Sequence, residues 1–143
     1  MATTLATVAW LHETFSREGI AYWIFGGFAV DLHVGEETRA HDDVDVAVLG
    51  SDFERAAASL VAAGFSRDSN EADGYTTLER DGARIDLAPT WPSDAFGDDV
   101  CELGGVRARV VTRGSLIADK SEPRDDPTTA EKDAADLRRL QEH

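Results

Sequence analysis

The order of helical and β-rich segments predicts an α+β fold, α/β-like in its alternation, with a mixed central β-sheet flanked by helices and a short C-terminal helical tail. Three observations carry that prediction. The chain opens on a helical stripe followed by a strand, a glycine pair and a second helix. Alternating runs then meet across Asp81-Gly82 and again across Gly104-Gly105, which is how hairpins read. The last segments return to helical periodicity behind a proline-rich break.

Taken in order, Thr3 or Thr4 caps a helix to about residue 17, with Leu5, Val8, Leu11 and Phe15 on one face and Gly19 at its end. Residues 20–25 are apolar and β-rich and stop at Gly26-Gly27, a turn signal. Residues 28–34 read as a short helix closed by Gly35, and 36–42 as a polar loop. Val44, Val46 and Val48 alternate with Asp43, Asp45 and Ala47, the pattern of a half-buried strand. Ser51 with Glu54 reads as a capping box for a helix that Gly64 ends. Residues 65–68 start another strand, and 75–79 with 83–87 form the first hairpin, ended by Pro89 and Pro92. Residues 90–99 form a loop, and 100–103 with 106–111 a second hairpin. A helix at 115–120 precedes the break at 121–127. Thr128 with Glu131 reads as a second capping box, for a helix whose apolar face would carry Ala130, Ala134, Leu137 and Leu140. The expected organisation is a core domain at 1–111 and a helical tail at 112–143.

Composition narrows the function. A chain of 143 residues reads as one domain with a modest core. Its formal net charge of −14 repels phosphate backbones, so stable nucleic-acid binding is not expected. Such a charge serves solubility, and it also suits a cationic acceptor. The single cysteine, Cys101, permits neither an intrachain disulfide nor a cysteine-based zinc site. Residues 1–9 lack a basic region followed by a long apolar run, and no stretch has the length of a membrane span. A cytoplasmic protein without membrane association is the expectation.

The chemistry concentrates in Asp43, Asp45 and Asp86. Two residues apart on a strand, Asp43 and Asp45 point to one face and the valines to the other. Carboxylates so close repel each other and call for a cation. Magnesium takes oxygen ligands, commonly one or two carboxylates plus substrate phosphates. Asp86, flanked by Ile85 and Leu87 on another predicted strand, completes a trio if the two strands are neighbours, and such a trio can hold two metals for attack at phosphorus. A solvated edge strand shows the same alternation, so the acids do not decide the matter alone. Gly26-Gly27 strengthens the reading, because glycine permits close approach of a ligand and the amides opening the next helix favour anions.

Other motifs fail. Gly26-Gly27 lacks the later glycine of a dinucleotide fingerprint and the Lys-Ser/Thr of a P-loop. His12-Glu13 is followed at position 16 by serine, so no zincin motif exists. Ala47 falls where an EF-hand needs an oxygen ligand.

Gly26-Gly27-Phe28-Ala29-Val30-Asp31, Gly35, Thr38-Arg39, His41 and Asp43-Val44-Asp45 resemble the nucleotidyltransferase superfamily that includes polymerase beta. Within it they look most like the short aminoglycoside 2''- and lincosamide nucleotidyltransferase branch. The resemblance implies a nucleotidyltransferase fold and a Mg2+-dependent transfer of a nucleoside monophosphate, from ATP as donor, to a hydroxyl of a small-molecule acceptor such as an antibiotic. It implies Asp43 and Asp45 as metal ligands, Asp86 as third ligand or general base, and Gly26, Gly27, Arg39 and His41 at the donor. Phe28 stands where many superfamily members carry serine, which removes one phosphate contact. About thirty residues follow the second hairpin, where larger relatives carry a helical acceptor domain, so a homodimer would complete the acceptor site.

Two other readings stand beside this one. Small relatives act as antitoxins that nucleotidylate a protein, and a catalytically inactive nucleotide-binding module would keep the fold without the transfer. Lys120 and Lys132 have the reach for phosphate, although Lys132 stands one helical turn from Asp136, the commoner reason for that spacing. The acidic loop at 94–102 reads first as solvated and second as an acceptor cleft wall. His12, His33 and His143 show no partner pattern, and Trp10, Trp23 and Trp91 read as core or cleft lining.

Overall fold

The computed structural model describes residues 3–37, 40–68, 75–89, 96–97, 100–123 and 125–142. Arg39, Trp91 and Asp94 lie outside these, as do Asp98 and Asp99, so the donor contact expected of Arg39 and most of the acidic loop are not described.

The opening apolar stripe becomes α1 (Leu5–Glu18), which buries Val8, Leu11 and Phe15. Thr4 and Thr7 form its capping box, so Thr4 rather than Thr3 is the cap. Thr3 does other work. Its hydroxyl donates to the Asp42 carbonyl (3.0 Å) and accepts from the Arg84 amide (3.1 Å). β1 (Tyr22–Phe25) leads directly into α2 (Gly26–Val34). That helix begins at the glycine pair, two residues earlier than its apolar pattern indicates, and Gly35 closes it. Nearly every side of α2 is buried, as suits a helix that is apolar all round.

β2 (Val44–Val48) is the expected valine strand. The Ser51–Glu54 capping box is a correction: residues 50–52 form a single 3-10 turn, and α3 (Phe53–Ala62) starts after it with Asp52 at its N-cap position and no side-chain cap. A tight turn satisfies its own first amides, which removes the need for the serine. β3 (Ser66–Arg67), β4 (Thr76–Arg80) and β5 (Ala83–Ala88) follow. Asp81 (φ 51°) and Gly82 (φ 85°) make the two-residue turn between β4 and β5, the geometry that matches strand twist.

Among the described residues, five strands form one mixed sheet in the order β1-β2-β5-β4-β3. Only β2 and β5 run parallel; the other neighbours are antiparallel. β6 (Val100–Leu103) and β7 (Val106–Arg109) make a separate hairpin. The chain beyond β7 reaches the open edge of β1, where the Val111 amide donates to the Ile24 carbonyl (3.0 Å).

One sheet face is apolar and the other carries the acids. Val44, Val46, Ile85, Leu87 and Leu78 are fully buried and pack with residues of α1 and α3, including Leu11, Phe15 and Leu60. α4 (Arg113–Lys120), capped by the Thr112 hydroxyl, and α5 (Pro127–Glu142) pack against each other and against α2. The cap of α5 is a second correction. Asp126, not Thr128, accepts from the amides of Thr128 and Thr129, and Pro127 takes the first helical position, where its missing N–H costs nothing. The inward face of α5 also differs from the apolar one expected. Asp133, Asp136 and Leu140 are buried, while Ala134 is exposed.

Ile85 sits at the centre of β5 with no exposed surface. Ile85→Ala is expected to cost about 2–5 kcal/mol of unfolding free energy, the range for truncating a buried aliphatic side chain; urea unfolding measures it.

Candidate active site

Strand register assembles the acids. Val44 pairs with Ile85 across the parallel β2–β5 ladder, which sets Asp45 directly beside Asp86. Asp43, one residue ahead of β2, points to the same face. One carboxylate oxygen from each of the three acids lies within 4.8 Å of the others. The site is therefore made at the parallel β2–β5 junction, beside the opening of α2.

Gly26 explains why that opening needs glycine. It has φ of 70°, and a Cβ placed there would lie 3.0 Å from the Asp45 carboxyl carbon and closer still to its oxygen. The residue admits the Asp45 carboxylate against the first turn of α2, a close approach that no side chain permits.

The trio is electrostatically strained. Burial pushes the Asp43 carboxyl up to about 6, and the charge of Asp86 and a hydrogen bond with its carboxyl add to the shift, against the pull of Arg84. Burial likewise pushes Asp45 well above the usual carboxylate range, reinforced by Asp43 and Asp86 and opposed by Lys120. An all-oxygen donor set that repels itself fits a hard divalent cation such as magnesium.

A cavity of about 200 Å³ opens on Asp43 and Asp45. Gly27 and His41 line one side, and Lys120, Thr129 and Lys132 line another. His41 bonds through Nε2 to Asp31 Oδ2 (2.7 Å), and its ring lies 4.3 Å from that of Phe28. Asp31 has no exposed surface, so a buried acid and an aromatic ring on α2 fix the imidazole at the cavity wall. Lys120 Nζ stands 3.2 Å from both Asp133 Oδ1 and Asp136 Oδ2. Lys132, expected to pair with Asp136, instead reaches Asp42 (3.8 Å) at the cavity rim, because the inward turn of α5 commits Asp136 to Lys120.

Asp43, Asp45, Asp86, Gly26, Gly27 and His41 thus come together, while Arg39 lies outside the described residues. Two partners of Asp86 were not foreseen. Thr77 Oγ1 donates to Asp86 Oδ1 at 2.8 Å, and Arg84 Nε lies 3.4 Å from the same oxygen. The signal for Thr77 was present: counting outward from the Asp81-Gly82 turn pairs 80 with 83, and then 77 with 86. The two described histidines away from the site have ordinary partners, and His143 lies outside the described residues. His33 Nε2 bonds to the Val111 carbonyl (2.8 Å) and His12 Nδ1 to the Tyr22 hydroxyl (2.5 Å). Trp23 stacks on Phe96 (4.2 Å) and Trp10 packs on Phe65 (5.4 Å), as core and wall residues do.

The mixed sheet, the helix opening at a glycine pair and the convergent carboxylates define a nucleotidyltransferase fold. It is shared with a lincomycin-bound lincosamide antibiotic adenylyltransferase, LnuA, at TM-score 0.80 and 16% identity over 99% of this chain and 98% of that one. It is shared also with ANT(2")-Ia in complex with adenylyl-2"-tobramycin, at TM-score 0.79 and 22% identity over 95% and 86%. The family model described as aminoglycoside-2''-adenylyltransferase matches residues 7–99, and the chain belongs to that family. A 2''-aminoglycoside nucleotidyltransferase of Klebsiella pneumoniae is 30% identical over 97 residues, 66% of this chain and 53% of that protein. The matched stretch thus spans about half the length of that curated relative. Among the described residues, no helix is long and apolar enough to cross a membrane.

The raised acids set a pH dependence. The folded value of Asp43, about 6, exceeds its ordinary value of 3.8, so its contribution to stability is full below about pH 4 and is lost as pH rises through 6. Asp45 acts in the same direction. In EDTA, the melting temperature is expected to fall between about pH 4 and 7, and to fall less in Asp43→Asn. A variant that tracks the wild type across that window would contradict the assignment of cause. Gly26→Ala is expected to displace the Asp45 carboxylate and remove any magnesium-dependent shift in melting temperature, which a thermal scan with and without magnesium nucleotide reads directly.

Proposed function

We propose that this protein transfers a nucleoside monophosphate, AMP from ATP, to a hydroxyl of a small-molecule antibiotic of the aminoglycoside or lincosamide class. The observation that supports it most is the convergence of Asp43, Asp45 and Asp86 beside the first turn of α2 in a chain of this family.

In this reading Asp43, Asp45 and Asp86 hold Mg2+. When bound, the metal neutralises charge on the donor phosphates and on the leaving pyrophosphate. The amides of Gly26 and Gly27, with Lys120 and Lys132, hold the triphosphate at the opening of α2. His41, fixed by Asp31, and Arg39 complete the donor side. The acceptor oxygen attacks the α-phosphorus, its proton passes to the Asp86 carboxylate, and the bond to pyrophosphate breaks. Alignment and fixed charge supply most of the rate. The proposed division into a core to residue 111 and a tail from 112 gives the tail a task, since Lys120, Thr129 and Lys132 line the cavity. The surplus of acids, a net charge of −14, favours a polycationic acceptor over an uncharged one.

The test is a thermal scan across nucleoside triphosphates with and without magnesium. A ligand at a hundred times its Kd adds about 2.7 kcal/mol of stability. We expect a shift that needs both magnesium and ATP and is absent in Asp45→Ala. Pyrophosphate release is then expected with an aminoglycoside or a lincosamide, and none from Asp45→Ala or Asp43→Ala. A flat response to every nucleotide would overturn the reading.

A further inference from the structure

Asp86 is the member of the trio whose orientation the sheet itself controls. Thr77 stands directly opposite it in the antiparallel β4–β5 ladder. Its hydroxyl donates to Oδ1 at 2.8 Å. Arg84 lies two residues earlier on β5, on the same face, and its Nε stands 3.4 Å from the same oxygen. Asp86 is 13% exposed at its side chain, so these donors act where water competes weakly. A free carboxylate rotates readily about its last bond, which is a broad torsion. One whose Oδ1 is held by two donors on one side does not.

We propose that Thr77 and Arg84 are positioning residues that lock the Asp86 carboxylate, holding Oδ1 against the sheet and presenting Oδ2 to the cation and the acceptor hydroxyl. The inference rests on the reading of Asp86 given above. It goes further by assigning roles to two residues that do not line the cavity opening on Asp43 and Asp45. Thr77 is the stronger partner by distance, and its backbone is fixed on both sides. β4 pairs with β5 through Thr77 itself, and the Asp68 amide donates to the Thr77 carbonyl (2.9 Å). Arg84 is fixed at its amide by Thr3. The lock is therefore built from main-chain register, with Arg84, 42% exposed at its side chain, as its softer half.

The experiment compares Thr77→Val, which keeps the shape and deletes the hydroxyl, with Thr77→Ser, which keeps the hydroxyl. Both are measured for Mn2+ affinity by paramagnetic resonance titration, for kcat, and for KM of the triphosphate. Partners that orient a ligand carboxylate carry about 10–100-fold in metal affinity or activity. We expect Thr77→Val to lose Mn2+ affinity and kcat in that range with KM for the triphosphate within about twofold, and Thr77→Ser to recover most of both. Thr77→Val at wild-type affinity and kcat would overturn the proposal, as would a serine variant as damaged as the valine one. If the valine variant fails to fold, Arg84→Gln carries the same comparison against Arg84→Lys. Asp86→Asn in the same assay separates the two levels. If it keeps full activity, the proposed reaction fails. If it is inactive while Thr77→Val is normal, only the positioning role fails.

Discussion

Holding three carboxylates within 4.8 Å on a partly buried sheet face is the constraint that the rest of the structure serves. Like charges at that distance drive strands apart unless the backbone insists. Here it insists through the parallel pairing of β2 with β5, which puts Asp45 beside Asp86 by register alone. The pairing in turn rests on the opposite face, where Val44, Val46, Ile85 and Leu87 are fully buried against the helices. A one-residue slip would exchange the two faces, sending the acids into the core and the valines into the site. Apolar burial and site geometry are thus the same fact seen from the two sides of one sheet.

Charges placed around the trio limit its cost without cancelling it. Arg84 lowers the Asp43 shift and Lys120 the Asp45 shift, yet both carboxyls stay above their usual range. A site that neutralised its own acids would have no affinity left for a cation. The observed balance leaves an attraction that a divalent ion can use. Thr3 adds a mechanical element. By bonding both the Asp42 carbonyl and the Arg84 amide, it ties the approach to β2 to the edge of β5 next to the acids.

Much of this was legible in the sequence. The valine alternation placed Asp43 and Asp45 on one face, the Asp-Gly turn fixed the β4–β5 hairpin, and the glycine pair marked the entrance to α2. These are short-range signals, in which backbone periodicity or a φ requirement acts within a few residues. What stayed hidden depends on long-range placement. That β2 neighbours β5 rather than β3 has no local signature. The start of α2 is hidden because the glycines look like a loop until the Asp45 carboxylate is seen filling the space where a side chain would be. The Ser51 pattern misleads because it does not reveal whether a 3-10 turn has already satisfied the same amides.

The inward face of α5 departs from its apolar periodicity for a different reason. Periodicity counts apolar residues, and it assigned Ala134 to the core, whereas Asp133 and Asp136 are the buried pair. Burying two carboxylates is unfavourable unless a cation comes with them, and Lys120, on α4, is that cation at 3.2 Å from each. Apolar side chains of similar volume often replace such a buried ion pair without loss of stability. They would not hold an ammonium at the wall of the cavity that opens on Asp43 and Asp45. A polar core face directed at a cavity that, on the proposed function, takes a triphosphate is what a helix looks like when its packing is shaped by the site it borders.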